Sequence, residues 1–291
     1  MMSARGTEPR NQREYLGAEL RKLRERAGLS GREVAAHLEI AQTSVSRIER
    51  GLKVPTQDEI TKWAALTGAA PDVQTRMGQL AEAAYTEVAT WRTALRDGTH
   101  LQDRIGNLEE QARVLRHFET IVVPGLLQTP EYARRVIQLA DVTGTQDHEA
   151  ALARRLQRQD VLYDSDRRFE FLITEGALRA RPPGPPAILV AQMGRISSLA
   201  DMDNVTIGLL PFDRVIREAI GWSEFAIYEG ADDEESVAFA EVTHAELTIS
   251  DPRDVQIYTD VLNRLARVAI YGDEARDLLN RIARETRAAG Q

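Results

Sequence analysis

The sequence predicts a multidomain protein: a mainly α N-terminal domain of five short helices, then an α+β C-terminal domain with a small sheet and flanking helices. Three observations predict this. The 291 residues, 43% of them hydrophobic, are enough for more than one buried core. Apolar residues recur at helical spacing through the first part of the chain. Further on, short alternating runs typical of strands lie between the helices.

Composition and charge exclude several classes of protein. The chain has no cysteine, which excludes disulfide frameworks and cysteine-ligated metal sites. The first residues lack an apolar signal core, and no apolar run approaches the roughly 20 residues that span a bilayer, so we expect a cytoplasmic protein without membrane contact. Residues 1–70 carry 12 basic and 9 acidic side chains, whereas residues 71–291 carry 25 and 36. A mildly basic head on an acidic body suggests that the two parts meet different partners.

Residues 1–12 are expected to form a flexible leader, followed by the five-helix domain at 13–77. The first helix, at about 13–26, has leucines on one face at helical spacing, namely Leu16, Leu20 and Leu23. Gly28 ends this helix, because glycine is the usual residue just after a helix. Pro71 suits the start of the fifth helix, where a proline removes no helical hydrogen bond.

Two capping boxes predict where the second and fourth helices begin. In each, a hydroxyl residue is followed three positions later by glutamate, so that the two side chains bond each other's backbone N–H groups. The pairs are Ser30 with Glu33, and Thr56 with Glu59. They predict a second helix at about 31–38 and a fourth that runs through Leu66.

The segment 31–51 carries the functional signal. Its two helices, the second at about 31–38 and the third at about 42–50, have apolar residues on one side, namely Val34, Ala35, Leu38, Val45 and Ile48. Ile40 lies in the tight turn between them, and Gly51 ends the third helix. Two short helices that cross steeply around such a turn form a helix-turn-helix.

The other face of the third helix predicts contacts with DNA. Five polar side chains lie there, roughly opposite the apolar ones: Gln42, Thr43, Ser46, Arg47 and Arg50. Glutamine can bond bidentately to adenine and arginine to guanine, each worth roughly 1–3 kcal/mol of discrimination. The alternative is a solvated polar face. The turn, the capping boxes and the terminal glycine together favour DNA binding.

Residues 14–67 resemble the Cro/C1-type (XRE) helix-turn-helix, whose usual pattern ends in Ser-Arg-Ile-Glu-x-Gly, here residues 46–51. The resemblance implies that Gln42, Thr43 and Arg47 contact base edges, and that the side chains near phosphates are Ser46, Arg50 and Lys53. Gly31 stands where the family has a phosphate-binding glutamine, so the neighbouring Arg32 is expected to replace that contact.

The same resemblance makes two structural predictions for the helix-turn-helix and shows one departure from the family pattern in its turn. Arg24 and Glu49 should form a partly buried ion pair that locks the third helix, so Glu49 is assigned to structure rather than to DNA. Glu39 stands where the family has its turn glycine. Ala41 stands where the family has a Ser or Thr N-cap, so this cap is expected to be missing, at a cost of about 1 kcal/mol.

In the rest of the chain we expect a helical connector at 78–117 and an α+β domain at 118–291 that regulates, binds a partner and dimerises. Strands are expected at 121–123, 169–174 and 205–210, with two or three more between 222 and 249. Helices are expected at about 130–140, 147–163 and 187–200, with two more in the last forty residues.

The run VPGLLQTPEYAR at 123–134 resembles the signature of a large actinobacterial group. Shorter matches at 118–119, 155–159, 175–179 and 209–212 extend the resemblance over essentially the whole chain. In that group an XRE head precedes a body of unassigned chemistry, as in WhiJ-like and antitoxin-like regulators. The resemblance implies transcriptional regulation, with a small acidic partner protein encoded nearby.

The polar residues of the body allow two interpretations. The loop at 124–129 is either a structural turn or part of a pocket or partner groove that Gln128, Tyr132 and Arg135 line. Arginines that follow at helical spacing either bind an acidic partner or form a solvated face; they are Arg154, Arg155 and Arg158.

An enzyme is the alternative class. The five histidines are scattered, and none has the HExxH spacing of a metal site. His244 and Glu246 supply only two candidate ligands. A GxSxG elbow and a glycine-rich phosphate loop are both absent. We therefore expect no catalytic residues, no metal and no cofactor.

Together these observations predict a sequence-specific, nucleoid-associated transcriptional regulator. As a homodimer, it would bind a palindromic operator in double-stranded DNA. Two alternatives keep the DNA-binding head. One is an antitoxin-like protein that neutralises a small partner and autoregulates its operon, and the other is a metabolite-sensing regulator.

Overall fold

The computed structural model describes residues 12–90, 101–141, 144, 147–214, 219–230, 236–242 and 245–289. The chain divides into two compact units. The first extends to Val88 and includes Thr248–Asp251, and the second comprises Ala89–Leu247 and Pro252–Gln291. Most of the predicted leader lies outside the described residues. Its last residue, Gln12, begins the first helix.

The described part of the first unit contains the five predicted helices. They are α1 (Gln12–Arg26), α2 (Gly31–Leu38), α3 (Gln42–Glu49), α4 (Gln57–Thr67) and α5 (Pro71–Tyr85). Their core includes the fully buried side chains Leu16, Leu20, Ile48, Ile60 and Trp63. Burial of each such side chain stabilises the fold by roughly 1.5–3 kcal/mol. Helix α3 is therefore held in place mainly by its apolar side.

Both predicted capping boxes are confirmed. At α2, the Ser30 hydroxyl accepts from the Glu33 N–H at 3.3 Å, and the Glu33 carboxylate accepts from the Ser30 N–H at 2.7 Å. At α4, Thr56 and Glu59 make the same pair of bonds, at 3.2 and 2.6 Å. The two helices therefore begin where the sequence places them.

A short segment from late in the chain completes the first unit. The Ser250 N–H donates to the carbonyl of Tyr85 at 2.9 Å, and Arg13 donates to the Ser250 hydroxyl at 2.7 Å. Arg13 also donates to the carbonyl of Ala84 at 3.2 Å. These bonds satisfy carbonyl groups at the end of α5, which has no continuing helical turn to bond them.

The remaining elements combine strands and helices. The strands are β1 (Thr86–Thr90), β2 (Val114–Glu119), β3 (Arg168–Thr174), β4 (Val205–Leu210), β5 (Phe225–Glu229), β6 (Val237–Val242) and β7 (Ala245–Ile249). The helices are α6 (Leu101–Gln111), α7 (Pro130–Ala140), α8 (His148–Arg158), α9 (Glu175–Arg179), α10 (Ala187–Leu199), α11 (Pro252–Ala266) and α12 (Gly272–Ala288). Single 3-10 turns occur at Gly125–Leu127 and Gln159–Tyr163.

The strands form one mixed sheet in the order β1-β7-β6-β5-β2-β3-β4. β2, β3 and β4 are parallel, whereas β5 runs antiparallel to both β2 and β6. One face, called here the inner face, packs with α10 and α12 into the main core, which includes Leu115, Phe171 and Met193. On the opposite face, Phe225 contacts Tyr258 of α11 with ring centroids 5.0 Å apart. The body therefore has the predicted α+β class.

The strand expected at 121–123 is wrong. The first body strand is β2, at Val114–Glu119, and residues 121–123 belong to the loop that follows it. Val123 is buried within that loop. Its backbone N–H and carbonyl bond the side chains of Tyr132 and Gln128 and need no neighbouring strand. The apolar run thus has a core role without the backbone pairing that the prediction assigned to it.

Two other segments differ from their predicted conformation. The segment 78–117, expected as a helical connector, contains the end of α5, strand β1, helix α6 and the start of β2. Alanines and mixed charges concealed these strands, because Arg116, His117 and Glu119 interrupt the apolar residues of β2. The helix expected at 147–163 is α-helical only through Arg158 and then tightens into a 3-10 turn.

Candidate nucleic-acid interface

Helix α3 is amphipathic in the structure as in the sequence. Val45 and Ile48 are 1% exposed, and Ser44 is also buried. Gln42, Thr43 and Arg50 are exposed, while Ser46 and Arg47 are half-buried. The polar face therefore keeps groups that can bond to a partner, and the apolar face fixes the helix axis.

The turn between α2 and α3 uses an unusual residue. Glu39 has φ 58° and ψ 37°, the left-handed conformation that the customary glycine would adopt. Such a conformation costs a non-glycine residue about 1 kcal/mol or more, because its Cβ crowds the backbone. The Ile40 N–H bonds the carbonyl of Ala35 at 3.0 Å and closes the turn. The missing N-cap at Ala41 is confirmed, since no side chain caps α3.

The ion pair implied for Arg24 and Glu49 is present. The Nε and Nη2 atoms of Arg24 donate to the two carboxylate oxygens of Glu49, the second at 3.0 Å. Arg24 Nη1 also donates to the carbonyl of Leu29 at 2.9 Å. The two charged side chains are only 14% and 13% exposed, and the bond to Glu49 raises the pKa of Arg24. The pair therefore ties α1 to the end of α3.

A close helix contact that the sequence analysis missed supports this arrangement. A Cβ atom on Gly17 of α1 would lie within 3 Å of the carbonyl oxygens of Ile48 and Glu49. Only glycine allows α1 to approach the last turn of α3 so closely. A glycine inside a predicted helix was the available signal, because it weakens the helix unless packing requires it.

The other candidate DNA contacts lie around α3. Arg32 is exposed in the first turn of α2, and Lys53 is half-buried beyond the end of α3. The amide nitrogen of Gln42 would lie 3.7 Å from a Cβ on Gly31, so the starts of α2 and α3 are neighbours. Arg50 donates to the carbonyl of Ser46 at 3.3 Å and lies back along its own helix.

In the body, Gln128 and Tyr132 are turned inward. Gln128 is 2% exposed; its Nε2 donates to the Val123 carbonyl at 2.7 Å, and its Oε1 accepts from Arg155 Nη1 at 3.0 Å. The Tyr132 hydroxyl accepts from the Val123 N–H at 3.4 Å, and burial raises its pKa. These bonds favour the interpretation of residues 124–129 as a structural turn.

Two more buried glutamines, which the sequence analysis did not single out as site residues, hold the same loop. Gln159 donates to the carbonyls of Gly125 and Gln128 at 3.0 and 2.8 Å. Gln192 accepts from the Thr129 N–H and donates to the Leu127 carbonyl, both at 2.8 Å. A buried backbone loop needs such partners, and primary amides can donate and accept at once.

The arginines of α8 also turn into the body. Arg158 donates through Nε to Glu109 at 2.7 Å in a bidentate pair whose side chains are 14% and 3% exposed. Arg155 bonds Gln128, and burial together with the charge of Arg158 lowers its pKa to about 10. Arg154 is half-buried, as is Arg135, whose Nε lies beside Gly184. Arg158 is therefore committed to an internal pair rather than to a solvated face.

Within the described ranges, no helix is both long and apolar enough to cross a membrane. The same residues include no group of three or more His, Asp or Glu side chains suited to hold a metal ion.

Comparison with known families assigns the body. Residues 102–281 match the family described as "Domain of unknown function (DUF5753)", which is more than half of the chain. The chain belongs to the DUF5753 family. Residues 15–77 of this DUF5753 protein match a second family, described as "Helix-turn-helix domain". This match confirms the helix-turn-helix predicted from residues 31–51 and supports DNA as the partner of the first unit.

None of the curated proteins matches this DUF5753 chain. Among solved structures it is similar to TrmBL2, described as an archaeal chromatin protein with a novel mode of DNA binding. The two share 11% identity over 84% of this chain and 88% of that one, with a TM-score of 0.31. A likeness of this size supports no conclusion about mechanism.

Proposed function

We propose that this DUF5753 protein is a sequence-specific, DNA-binding transcriptional regulator that places α3 in the major groove. The observation that carries the proposal is the two-sided character of α3. Its apolar side is buried and its end is tied by Arg24 and Glu49, while Gln42, Thr43 and Arg50 are exposed. A rigid helix with exposed amide, hydroxyl and guanidinium groups suits direct contact with base edges.

The proposed roles of the contact residues follow from their positions. Gln42, Thr43 and Arg47 contact bases, and the phosphate contacts come from Arg32, Ser46, Arg50 and Lys53. The capping box of α2 already uses the N–H groups of Ser30 and Glu33. The Glu33 carboxylate also places a negative charge there, so the contact to phosphate at this helix falls to the side chain of Arg32.

The proposed assembly is a homodimer on a palindromic operator. Two symmetric heads would place their α3 helices in half-sites about one helical turn apart or a multiple of it. Because the body is strongly acidic, it is expected to avoid the phosphates and to carry the dimer contacts. The head has only a small basic excess, so non-specific binding should be modest and salt-sensitive.

The test of base contact compares Arg47→Ala with Lys53→Ala. Selection from random double-stranded DNA first identifies the bound sequence, and fluorescence anisotropy then measures affinity for that sequence and for a scrambled one. Arg47→Ala should cost about 1–3 kcal/mol on the selected sequence and much less on the scrambled one, whereas Lys53→Ala should weaken both equally. Equal losses for Arg47→Ala on the two DNAs would remove its base-contacting role.

The body is proposed to receive a signal or a small protein partner, without catalysis. An antitoxin-like role would require a partner that this chain neutralises, and co-purification with a small protein encoded beside it tests that role. The internal pairing of Arg158 with Glu109 removes one arginine from any acidic partner's reach. A metabolite-sensing role gains support from three glutamates on the inner face of the sheet, Glu119, Glu224 and Glu241. The site of action is proposed to be the nucleoid.

A further inference from the structure

The strand register aligns three glutamates across the middle of the sheet. β2 pairs with β5 so that Phe118 faces Phe225, and continuing that register by one residue brings Glu119 opposite Glu224. β5 pairs with β6 so that Ala226 faces Phe239, and continuing that register by two residues brings Glu224 opposite Glu241. Residues that face each other in antiparallel strands project from the same face. The three glutamates, called here the carboxylate row, therefore share one face of the sheet.

The carboxylate row lies on the inner face, and its members become more buried from one end of the row to the other. His117, two residues before Glu119, contacts Phe171 of the main core, which identifies the face. Glu241 is exposed, Glu224 is half-buried and Glu119 is 9% exposed. An exposed glutamate on a face that elsewhere packs the core indicates that this face opens to solvent at the end of β2.

Few described groups compensate these negative charges. His117 lies 3.3 Å from Glu119, and the Thr120 hydroxyl donates to Glu224 at 3.0 Å. Burial and the neighbouring charge of Glu119 raise the pKa of Glu224. Burial and the neighbouring charge thus penalise the ionised form of Glu224, and a cation bound beside it would offset that penalty.

Arg155 of α8 is the complementary feature, because its Nε lies beside the loop that follows β2, 3.8 Å from the position of a Cβ on Gly125. Among the described residues no carboxylate lies within ion-pair distance of Arg155, and its single hydrogen bond there goes to Gln128. Its Nε is enclosed and has no hydrogen-bond partner there. The charges of Glu241, Glu119 and Glu109 act on it only through space. An enclosed Nε without an acceptor is costly, so a carboxylate that reached Arg155 would be held firmly.

We propose that the carboxylate row and Arg155 form a binding site for a small zwitterion, an amino acid or a molecule of that chemistry. The ligand's ammonium group would meet Glu224 and Glu241, and its carboxylate would meet Arg155. The site lies at the carboxyl end of β2, where the parallel strands on one side give way to antiparallel β5 on the other. In open α/β sheets, ligands bind in the crevice outside the carboxyl ends of the strands.

This site would supply the signal that the proposed function assigns to the body, so its regulatory meaning depends on that function. Its binding does not, because binding is measured on the full-length protein without DNA. If ligand binding fails, the DNA-binding proposal stands. If DNA binding fails, the ligand site is still confirmed or refuted by the binding measurement alone.

The experiment begins with thermal unfolding of the full-length protein in the presence of each of the twenty common L-amino acids, β-alanine and γ-aminobutyrate. The last two probes vary the separation of the ammonium and carboxylate groups. The strongest stabiliser is then titrated by calorimetry beside its decarboxylated amine and its deaminated acid. We expect saturable binding of at least one zwitterion and at least tenfold weaker binding of both analogues.

Variants assign that binding to the proposed residues. Arg155→Gln and Glu241→Gln should each weaken it at least tenfold, while Arg134→Gln on the neighbouring helix α7 should leave it unchanged. Because Arg155 also holds Gln128, the exposed Glu241 provides the variant that leaves the fold intact. Absence of saturable binding by every probe, equal binding of an analogue, or full binding by Glu241→Gln would each overturn the proposal.

Discussion

The same side-chain types perform opposite tasks in the two units. In the first unit, Gln42 and Arg50 are exposed on α3, while apolar residues fix the helix from behind. In the body, Gln128 and Arg158 are turned inward and bond a loop carbonyl and a buried carboxylate. The comparison teaches that polar side chains on a helix stay available to a partner only where apolar residues already fix that helix. Where a loop lies inside the core, the polar residues are needed to hold it.

The largest effect is expected from Glu49→Gln, which tests whether a charge in the first unit is structural. It leaves Arg24 without its partly buried counter-ion and should lower the free energy of unfolding of this unit by about 3 kcal/mol. Urea denaturation with hydrogen exchange of the α1 and α3 amides measures the loss. Arg21→Ala, which breaks an exposed pair with Glu25, is the control and should change little. Tighter DNA binding with unchanged stability would instead place Glu49 at the DNA.

The next effect contrasts the two glutamines directly. Gln128→Ala leaves the Val123 carbonyl and Arg155 without a partner and should destabilise the body by about 2 kcal/mol. Gln42→Ala should leave stability nearly unchanged and reduce discrimination between DNA sequences. Denaturant midpoints and anisotropy on both variants measure the contrast. A stable Gln128→Ala protein would return this residue to the pocket interpretation.

A smaller gain is expected from Ala41→Ser. The backbone at Ala41 already has the extended conformation of an N-cap, with φ −65° and ψ 144°, but it lacks a side-chain oxygen. A serine there can accept from a free N–H group of α3 and should stabilise the first unit by about 1 kcal/mol. Ala36→Ser, which adds a hydroxyl at an exposed position inside α2, should give no gain. Thermal unfolding compares the two, and equal behaviour would show that the cap is not the cause.

The smallest effect concerns pH and the body alone. Because the pKa of Glu224 is raised in the folded protein, its favourable contribution is full below its usual value of 4.5 and is lost as the pH rises through the raised value. Glu224→Gln should therefore be more stable than the original protein at pH 8, with the difference closing towards pH 4. Denaturation at several pH values measures this trend. A difference that grows on acidification would contradict the assigned direction.

The first unit was largely predictable because its signals are local. Capping boxes, a stop glycine and helical spacing all act within a few residues, and Ala41 correctly indicated a missing cap. The close approach at Gly17 was missed, since its reason lies on another helix. For DNA contact the sequence gives the polar face, whereas base and phosphate roles remain proposals that binding measurements must test.

The body was less predictable because its signals are long-range. Nothing near Arg155 or Arg158 in sequence shows that Gln128 and Glu109 lie within bonding distance. Residues 121–123 are apolar enough for a strand, yet no neighbouring strand pairs with them. The carboxylate row appears only once the register of β2, β5 and β6 is known. Pairing partners far apart along the chain are what local patterns cannot supply.

The parallel pairing of β2 has a consequence for the order of folding. Val114 pairs with Arg168 on one side and with Glu229 on the other. Each pairing closes a long loop, and the entropy of that closure is lost before the contacts can stabilise the sheet. The core of the helical unit needs only residues between Leu16 and Tyr85. We therefore expect this core to form first during synthesis, so that a nascent chain acquires α3, its proposed DNA-contacting helix, before it acquires the body that is proposed to receive a signal.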